Sequence, residues 1–296
     1  MILSEKILMI EPRGFSYNEE TGADNFFQTT ATIKAPTETA MKEFHEIKNK
    51  LMKAGIEVTV FSPGDEFISP DSVFPNNWFS TTPFGHLILY PMMAVSRRTE
   101  RNKEFVDKLK KKYTKVIDLT HLEERKLFLE GTGSIVIDHE NKTAFASLSK
   151  RTNKEALMEW SKQLDYKINM FESFDMNDEI IYHTNVVMTL ADGFVIICPD
   201  AIKEKKVRDT LLEKLSVKNE IIAITMEQMH AFCGNCIELK NNSGDKFIVM
   251  STQAYQAFTE KQKNRMIRYA TIIHSGLTTI ETLGGGSSRC MIAELF

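Results

Sequence analysis

Cysteine is scarce here, with four in 296 residues. So few in so long a chain do not form a disulfide scaffold, and a reducing cytoplasm is the expected location. Charge of one sign is not in excess either. The formal net charge is −3, which offers a nucleic acid no basic surface. The run Lys110-Lys111-Lys112 reads as a solvated helix face. No apolar run approaches the roughly 20 residues needed to span a bilayer, so no membrane segment is expected. The first residues, Met1-Ile2-Leu3-Ser4-Glu5-Lys6, lack the basic start and long apolar stretch of a signal peptide. There is no linker rich in Pro, Gly or Ser and no compositional break. Residues 1–296 therefore read as one domain.

What is present is an ordinary globular composition, 42% hydrophobic and 26% charged. Short apolar runs alternate with charged stretches of helical period. Ile7–Ile10, Glu57–Phe61, His86–Tyr90, Val116–Leu119 and Glu220–Ile224 read as strands. Thr37–Ala54 reads as a helix, with Met41, Phe44, Ile47, Leu51 and Met52 at helical spacing and Gly55 as the stop. Arg98–Tyr113, Lys154–Leu164, Lys203–Leu215 and Glu260–His274 also read as helices. Three hairpins are expected: Ser134–Asp138 with Thr143–Ser147, Asn185–Leu190 with Phe194–Cys198 around Asp192-Gly193, and Ile237–Leu239 with Phe247–Met250. Thr278–Leu283 reads as a last strand. A strand pair, a helix and another strand thus recur at intervals of roughly 50 residues, a spacing typical of repeat architectures. With hairpins inside each repeat, radial repetition fits better than an open Rossmann sheet. No G-x-G-x-x-G follows the first strand.

The chain ends on Gly284-Gly285-Gly286-Ser287-Ser288-Arg289-Cys290-Met291, followed by Ile292 to Phe296. Three glycines make a poor helix or strand interior but suit a tight loop. A cysteine on such a loop is either a nucleophile or an inert buried thiol, depending on its surroundings. A nucleophile needs a base, an orienting carboxylate and polar groups for the substrate. Three further segments could supply them. These are Asp71-Ser72-Val73-Phe74-Pro75-Asn76-Asn77-Trp78, Leu129-Glu130-Gly131-Thr132-Gly133-Ser134 and Tyr182-His183-Thr184-Asn185. Each lies at an element boundary, where functional groups tend to be mounted. Taken singly, each also has a structural reading. Glu130 could be a turn residue, His183 a satisfied buried histidine, and Asn76-Asn77 a turn cap.

In order and spacing, these four segments resemble the guanidine-modifying superfamily of arginine deiminases, dimethylarginine dimethylaminohydrolases and amidinotransferases. There a PD-x-x-F-x-x-D segment precedes an EGG-type segment, a histidine and a C-terminal glycine-rich cysteine. The resemblance spans nearly the whole chain. It implies the pentein fold, an α/β propeller of five ββαβ-type repeats with pseudo-five-fold symmetry. It also implies roles. Cys290 would attack the carbon of a guanidinium or ureido group, and His183 would be the general acid and base. Glu130 would orient the histidine or the substrate nitrogens, and Asp71 and Asn77 would grip the planar head group. Ser96-Arg97-Arg98 and Ser149-Lys150-Arg151 resemble segments that hold a substrate α-carboxylate. The resemblance leaves the choice between Arg97 and Arg98 open. Arginine suits that task because its planar fork matches a carboxylate.

Two positions depart from the usual pattern, both by Asp to Asn: Asn77 and, two residues after the histidine, Asn185. A carboxylate only accepts hydrogen bonds, whereas an amide also donates. Amides suit a neutral ureido group with its carbonyl oxygen better than a buried guanidinium cation. The pattern is similar to the citrulline-hydrolysing branch, which yields ornithine, ammonia and carbon dioxide. Asn18, Asn25 and Phe26-Phe27-Gln28 resemble that branch too. The alternatives are an arginine deiminase, a dimethylarginine dimethylaminohydrolase, an amidinotransferase, or a binding member without catalysis. Retention of Cys290, His183 and Glu130 together speaks against the last.

His230-x-x-Cys233-x-x-Cys236 has metal-like spacing, but a closed zinc site commonly needs a second such pair. These are expected to be structural thiols. No metal and no cofactor are expected. Gly234-Asn235 between them resembles a family loop, which would put Asn235 at the pocket. The partner implied is a small amino-acid substrate, and a homo-oligomer is allowed.

Overall fold

The computed structural model describes residues 1–64 and 69–296. Among these described residues, fifteen strands form five three-stranded sheets. They are β1 (Lys6–Ile10), β2 (Glu57–Phe61), β3 (Phe79–Thr81), β4 (His86–Leu89), β5 (Lys115–Asp118), β6 (Val136–Asp138), β7 (Thr143–Ser147), β8 (Lys167–Phe171), β9 (Met188–Leu190), β10 (Phe194–Ile197), β11 (Glu220–Ala223), β12 (Ile237–Lys240), β13 (Lys246–Ser251), β14 (Thr271–Ser275) and β15 (Ala293–Leu295).

Each sheet follows one rule. Its first strand pairs antiparallel with the second, and the second pairs parallel with the third. A parallel pair needs a crossover, and each is bridged by a helix. The bridging helices are Pro36–Lys53, Lys103–Lys110, Lys154–Leu164, Lys205–Ser216 and Glu260–Met266. This is the five-fold ββαβ arrangement of the pentein fold. The chain ends meet in one sheet, ordered β15-β1-β2, where Ile7 pairs with Glu294 and Leu8 with Ala293. The first strands of the sheets, β3, β6, β9, β12 and β15, all line one axial cavity of about 50 Å³.

Burial follows the helical period. On Pro36–Lys53, Ala40, Phe44, Ile47 and Leu51 are buried. Ala40 completes this stripe in place of the expected Met41 and Met52, and Met52 is exposed.

Four elements differ from the sequence reading. The helix expected over Arg98–Tyr113 is two pieces, Val95–Arg98 and Lys103–Lys110. Between them Glu100 turns inward to Arg97, and the Asn102 side chain caps the second piece at the Phe105 N–H. The helix expected to His274 stops at Met266, because Thr271-Ile272-Ile273, a β-branched run, pairs with β13 as strand β14. Thr278–Gly284 is a helix and not a strand. Leu277, Ile280 and Leu283, three apart, are buried together, and the Glu43 carboxylate caps the N–H groups of Thr279 and Ile280. Finally, Thr184–Val187 is a helical turn, so His183 precedes a turn and strand β9 starts only at Met188.

Among the described residues, no helix is long and apolar enough to cross a membrane.

Candidate active site

Five segments entering the five first strands carry most of the polar residues singled out above, while Arg97, Arg98 and Arg151 follow the second strands β4 and β7. The 3-10 turn Pro75–Asn77 precedes β3, and Glu130 caps the turn Gly131–Ser134 before β6. His183 caps Thr184–Val187 before β9, Asn235 precedes β12, and Cys290 precedes β15. Pseudo-symmetry therefore delivers residues far apart in sequence to one end of the axis. Asp71, Asn77, Arg97, Arg151, His183 and Cys290 line a single cavity of about 20 Å³, with Thr21, Tyr182 and the three glycines 284–286.

His183 Nε2 lies 2.9 Å from Glu130 Oε2, with both side chains buried. Burial pushes the Glu130 carboxyl up. The Arg151 guanidinium, the His183 hydrogen bond and Arg97 more than reverse this, holding it at about 2. Glu130 is thus an anion that only accepts, which puts the imidazole proton on Nε2 and the lone pair on Nδ1. Burial lowers the His183 pKa despite that carboxylate. Glu130 Oε1 also accepts the Met93 N–H at 3.0 Å.

Close packing of Gly133 makes this arrangement possible. A Cβ at Gly133 would lie 2.5 Å from Asn77 Nδ2 and 2.8 Å from His183 Nδ1. At the other end of the cavity, Gly285 adopts φ +63° and ends the helix Thr278–Gly284 in the left-handed conformation that glycine tolerates. The expected tight glycine loop is there.

Cys290 is buried, and its Sγ meets two amides. Asn235 Nδ2 is at 3.3 Å and Asn185 Nδ2 at 3.6 Å, while the thiol can donate to Asn235 Oδ1 at 3.6 Å. Asn235 is held by its own bonds to the Asn185 carbonyl and the Arg289 N–H. Asn185 Oδ1 has no partner among the described residues.

Arg97 is fully buried, and Glu100 grips its guanidinium at Nε (2.8 Å) and Nη2 (2.9 Å). Its Nη1 donates to Asn77 Oδ1 at 2.7 Å, and Nη2 also donates to the Phe74 carbonyl. Among the described residues, Asn77 Nδ2 is left buried and without a partner. Asp71 Oδ2 accepts from Asn18 and Thr21, and its Oδ1 is likewise unpartnered among the described residues. Burial raises the Asp71 pKa, against the pull of Arg97 and those hydrogen bonds.

Arg151 stacks over the Tyr182 ring at 4.8 Å, pairs with Asp24 and lies 3.7 Å from Glu130. Arg98 stands apart. It does not line the cavity but bonds the Met92 and Met93 carbonyls and Glu123.

Sequence reasoning gave no role to Thr21, Asp24, Glu100 or Gly133. Tyr182, whose hydroxyl donates to the Gly285 carbonyl, lay inside the histidine segment without an assigned role. Cys233 and Cys236 are free and buried, each sulfur against a backbone carbonyl. Burial pushes the Cys233 thiol up to about 12.

The sequence matches the family described as N,N dimethylarginine dimethylhydrolase, eukaryotic, over residues 11–296. The chain belongs to this family. Among solved structures it resembles ArgZ, an arginine dihydrolase from the ornithine-ammonia cycle in cyanobacteria. Identity is 18% and TM-score 0.77, over 97% of this chain and 40% of that one. The chain thus spans well under half of that protein's length. It covers 97% of the separate N-terminal domain of ArgZ, solved as a substrate-bound variant, at 18% identity, TM-score 0.77 and 98% coverage of this chain. A dimethylarginine dimethylaminohydrolase bearing an S-methyl-L-thiocitrulline adduct matches at 16% identity and TM-score 0.68, over 99% of this chain and 100% of that one. At these identities the likeness establishes the pentein fold. No curated protein matches the sequence.

Proposed function

We propose that residues 1–296 form a single catalytic domain that hydrolyses the ureido group of citrulline, without a cofactor, to ornithine, ammonia and carbon dioxide. The observation that carries this reading is Asn77. Arg97 occupies its oxygen, so the amide offers an N–H that has no partner among the described residues. An N–H donor complements a ureido oxygen, on which charge grows during attack, and repels nothing in a neutral ligand. Asp71 Oδ1 and Asn185 Oδ1 are then acceptors for ureido N–H groups.

In this reading neutral His183 takes the Cys290 proton, and Glu130 stabilises the imidazolium. The sulfur attacks the ureido carbon. One C–N bond breaks, and the leaving nitrogen takes the proton from His183. The thiocarbamate-type intermediate on Cys290 is hydrolysed by water deprotonated at His183, and the C–S bond breaks to return the thiol. The carbamate so released decomposes to carbon dioxide and amine. Arg151 is the arginine at the cavity available for a substrate carboxylate, in exchange with Asp24.

The runner-up is a guanidinium substrate, arginine or a methylated arginine. The open carboxylate oxygen of Asp71 favours it, as does the family's description. Intact-protein mass spectrometry after rapid quench separates the two. A carbamoyl-type adduct on Cys290 from citrulline supports the first reading, and an amidino adduct from arginine with none from citrulline supports the second.

A further inference from the structure

Beneath the Cys290 loop lies a carboxylate that the mechanism above does not use. Glu281, on the helix Thr278–Gly284, is 3% exposed. It makes no ion pair among the described residues. Its Oε1 accepts the Ser287 hydroxyl at 2.6 Å. The Ser287 carbonyl in turn accepts the Cys290 N–H at 2.9 Å and the Met291 N–H at 3.3 Å. These two bonds form the turn that presents the sulfur. The Glu281 backbone carbonyl also accepts the Gly285 N–H at 3.0 Å, fixing the start of the same loop. Glu281 therefore ties Gly285 and Ser287, and through Ser287 the Cys290 turn, to one helix.

A buried carboxyl without a cation is unfavourable. Burial pushes Glu281 up to about 7, with Ser287 and Ser251 pulling it down and Glu43 adding to the rise. Such a group is held at a cost in stability, and its short bond to Ser287 leads to the cysteine turn.

We infer that Glu281 is a positioning residue for Cys290, acting through Ser287 to hold the sulfur in line with the substrate carbon. This rests on Cys290 being the nucleophile. What the loop needs from Glu281 is a hydrogen-bond acceptor, which glutamine also supplies.

The test is kinetics on full-length Glu281→Ala, Glu281→Gln and Ser287→Ala, with the rate of Cys290 alkylation by iodoacetamide as a readout free of substrate. A small displacement of a reacting atom costs about 10- to 100-fold in rate. Glu281→Ala and Ser287→Ala should each lose that much in kcat with KM within about twofold of the parent, and the alkylation rate should change with kcat. Glu281→Gln should restore most of kcat. Unchanged kcat in Glu281→Ala, or a loss that glutamine does not restore, overturns the inference. If Glu281→Ala does not fold, Ser287→Ala decides alone: a kcat loss at native melting temperature supports the role, and none removes it. Activity surviving in Cys290→Ala would instead remove the nucleophile reading, so the two failures are distinct.

Discussion

Arg97 Nη1 donates to Asn77 Oδ1 at 2.7 Å, and this bond decides which face of the amide remains to be used. With its oxygen taken, Asn77 offers Nδ2 to the cavity wall. Asn77→Asp replaces that donor with a charged oxygen. Citrulline kcat/KM should fall about 100-fold, the usual loss of one oxyanion donor. The arginine-to-citrulline ratio of kcat/KM should rise. Steady-state kinetics on both substrates checks this, and an unchanged ratio would take Asn77 out of the specificity argument.

Glu130→Gln removes the anion that, in the proposed mechanism, supports the His183 imidazolium. Proton-transfer partners contribute roughly 100- to 10,000-fold, and kcat should drop within that range while the fold persists. Glu130 is held at about 2, below its ordinary value. Its contribution to stability is therefore present above the ordinary carboxylate range and is lost as pH falls through about 2. Urea melts of parent and variant at pH 7 and pH 3 test the sign. Equal stability of the two proteins at pH 7 would contradict the role assigned to the pair.

Gly133→Ala inserts a methyl group between Asn77 Nδ2 and His183 Nδ1. Overpacking of this kind costs about 1–3 kcal/mol. Activity should fall by far more than the melting temperature implies, because both displaced groups belong to the proposed machinery. A variant with parental kcat would show that neither group needs its observed place.

Glu238 gives a stability effect of opposite sign. Its carboxylate is buried with Oε1 unpartnered, and burial pushes it up to about 7 despite the Asp192 N–H and Lys246. The native state thus holds the proton more tightly than the unfolded chain. Stability should decline as pH rises from the ordinary carboxylate range through about 7, by about 3 kcal/mol in total. Glu238→Gln should remove that part of the decline between pH 5 and pH 8. A variant with the parental slope would assign the decline to other groups.

The periodic parts of the fold were legible in the sequence. β2 and the helix Lys154–Leu164 follow directly from alternation and from helical spacing. Short elements were not. Thr184–Val187 and Gly131–Ser134 are single turns fixed by the strands they precede, too brief for a period to show. At Thr278–Gly284 the chain is helical where the sequence suggests a strand, and the distant Glu43 cap carries no local signal. In the site, Asp71, Asn77, Arg97, Arg151, His183 and Cys290, all quoted in motifs, meet at one cavity. Asp24 and Gly133 act through partners distant in sequence, Arg151 for Asp24 and Asn77 and His183 for Gly133. Such pairings appear only when the ring closes. The likeness of Arg97 and Arg98 in sequence also hid a division: one is buried beside Asn77, and the other lies outside the cavity.

The most direct test of the central reading is release of ornithine and ammonia from citrulline, run beside arginine and dimethylarginine, with Cys290→Ala as control. The expected result is ornithine from citrulline, abolished in Cys290→Ala, with little turnover of the guanidinium compounds. Citrulline formed from arginine or dimethylarginine, with no ornithine from citrulline, would contradict it and show that Asn77 and Asn185 serve a cation.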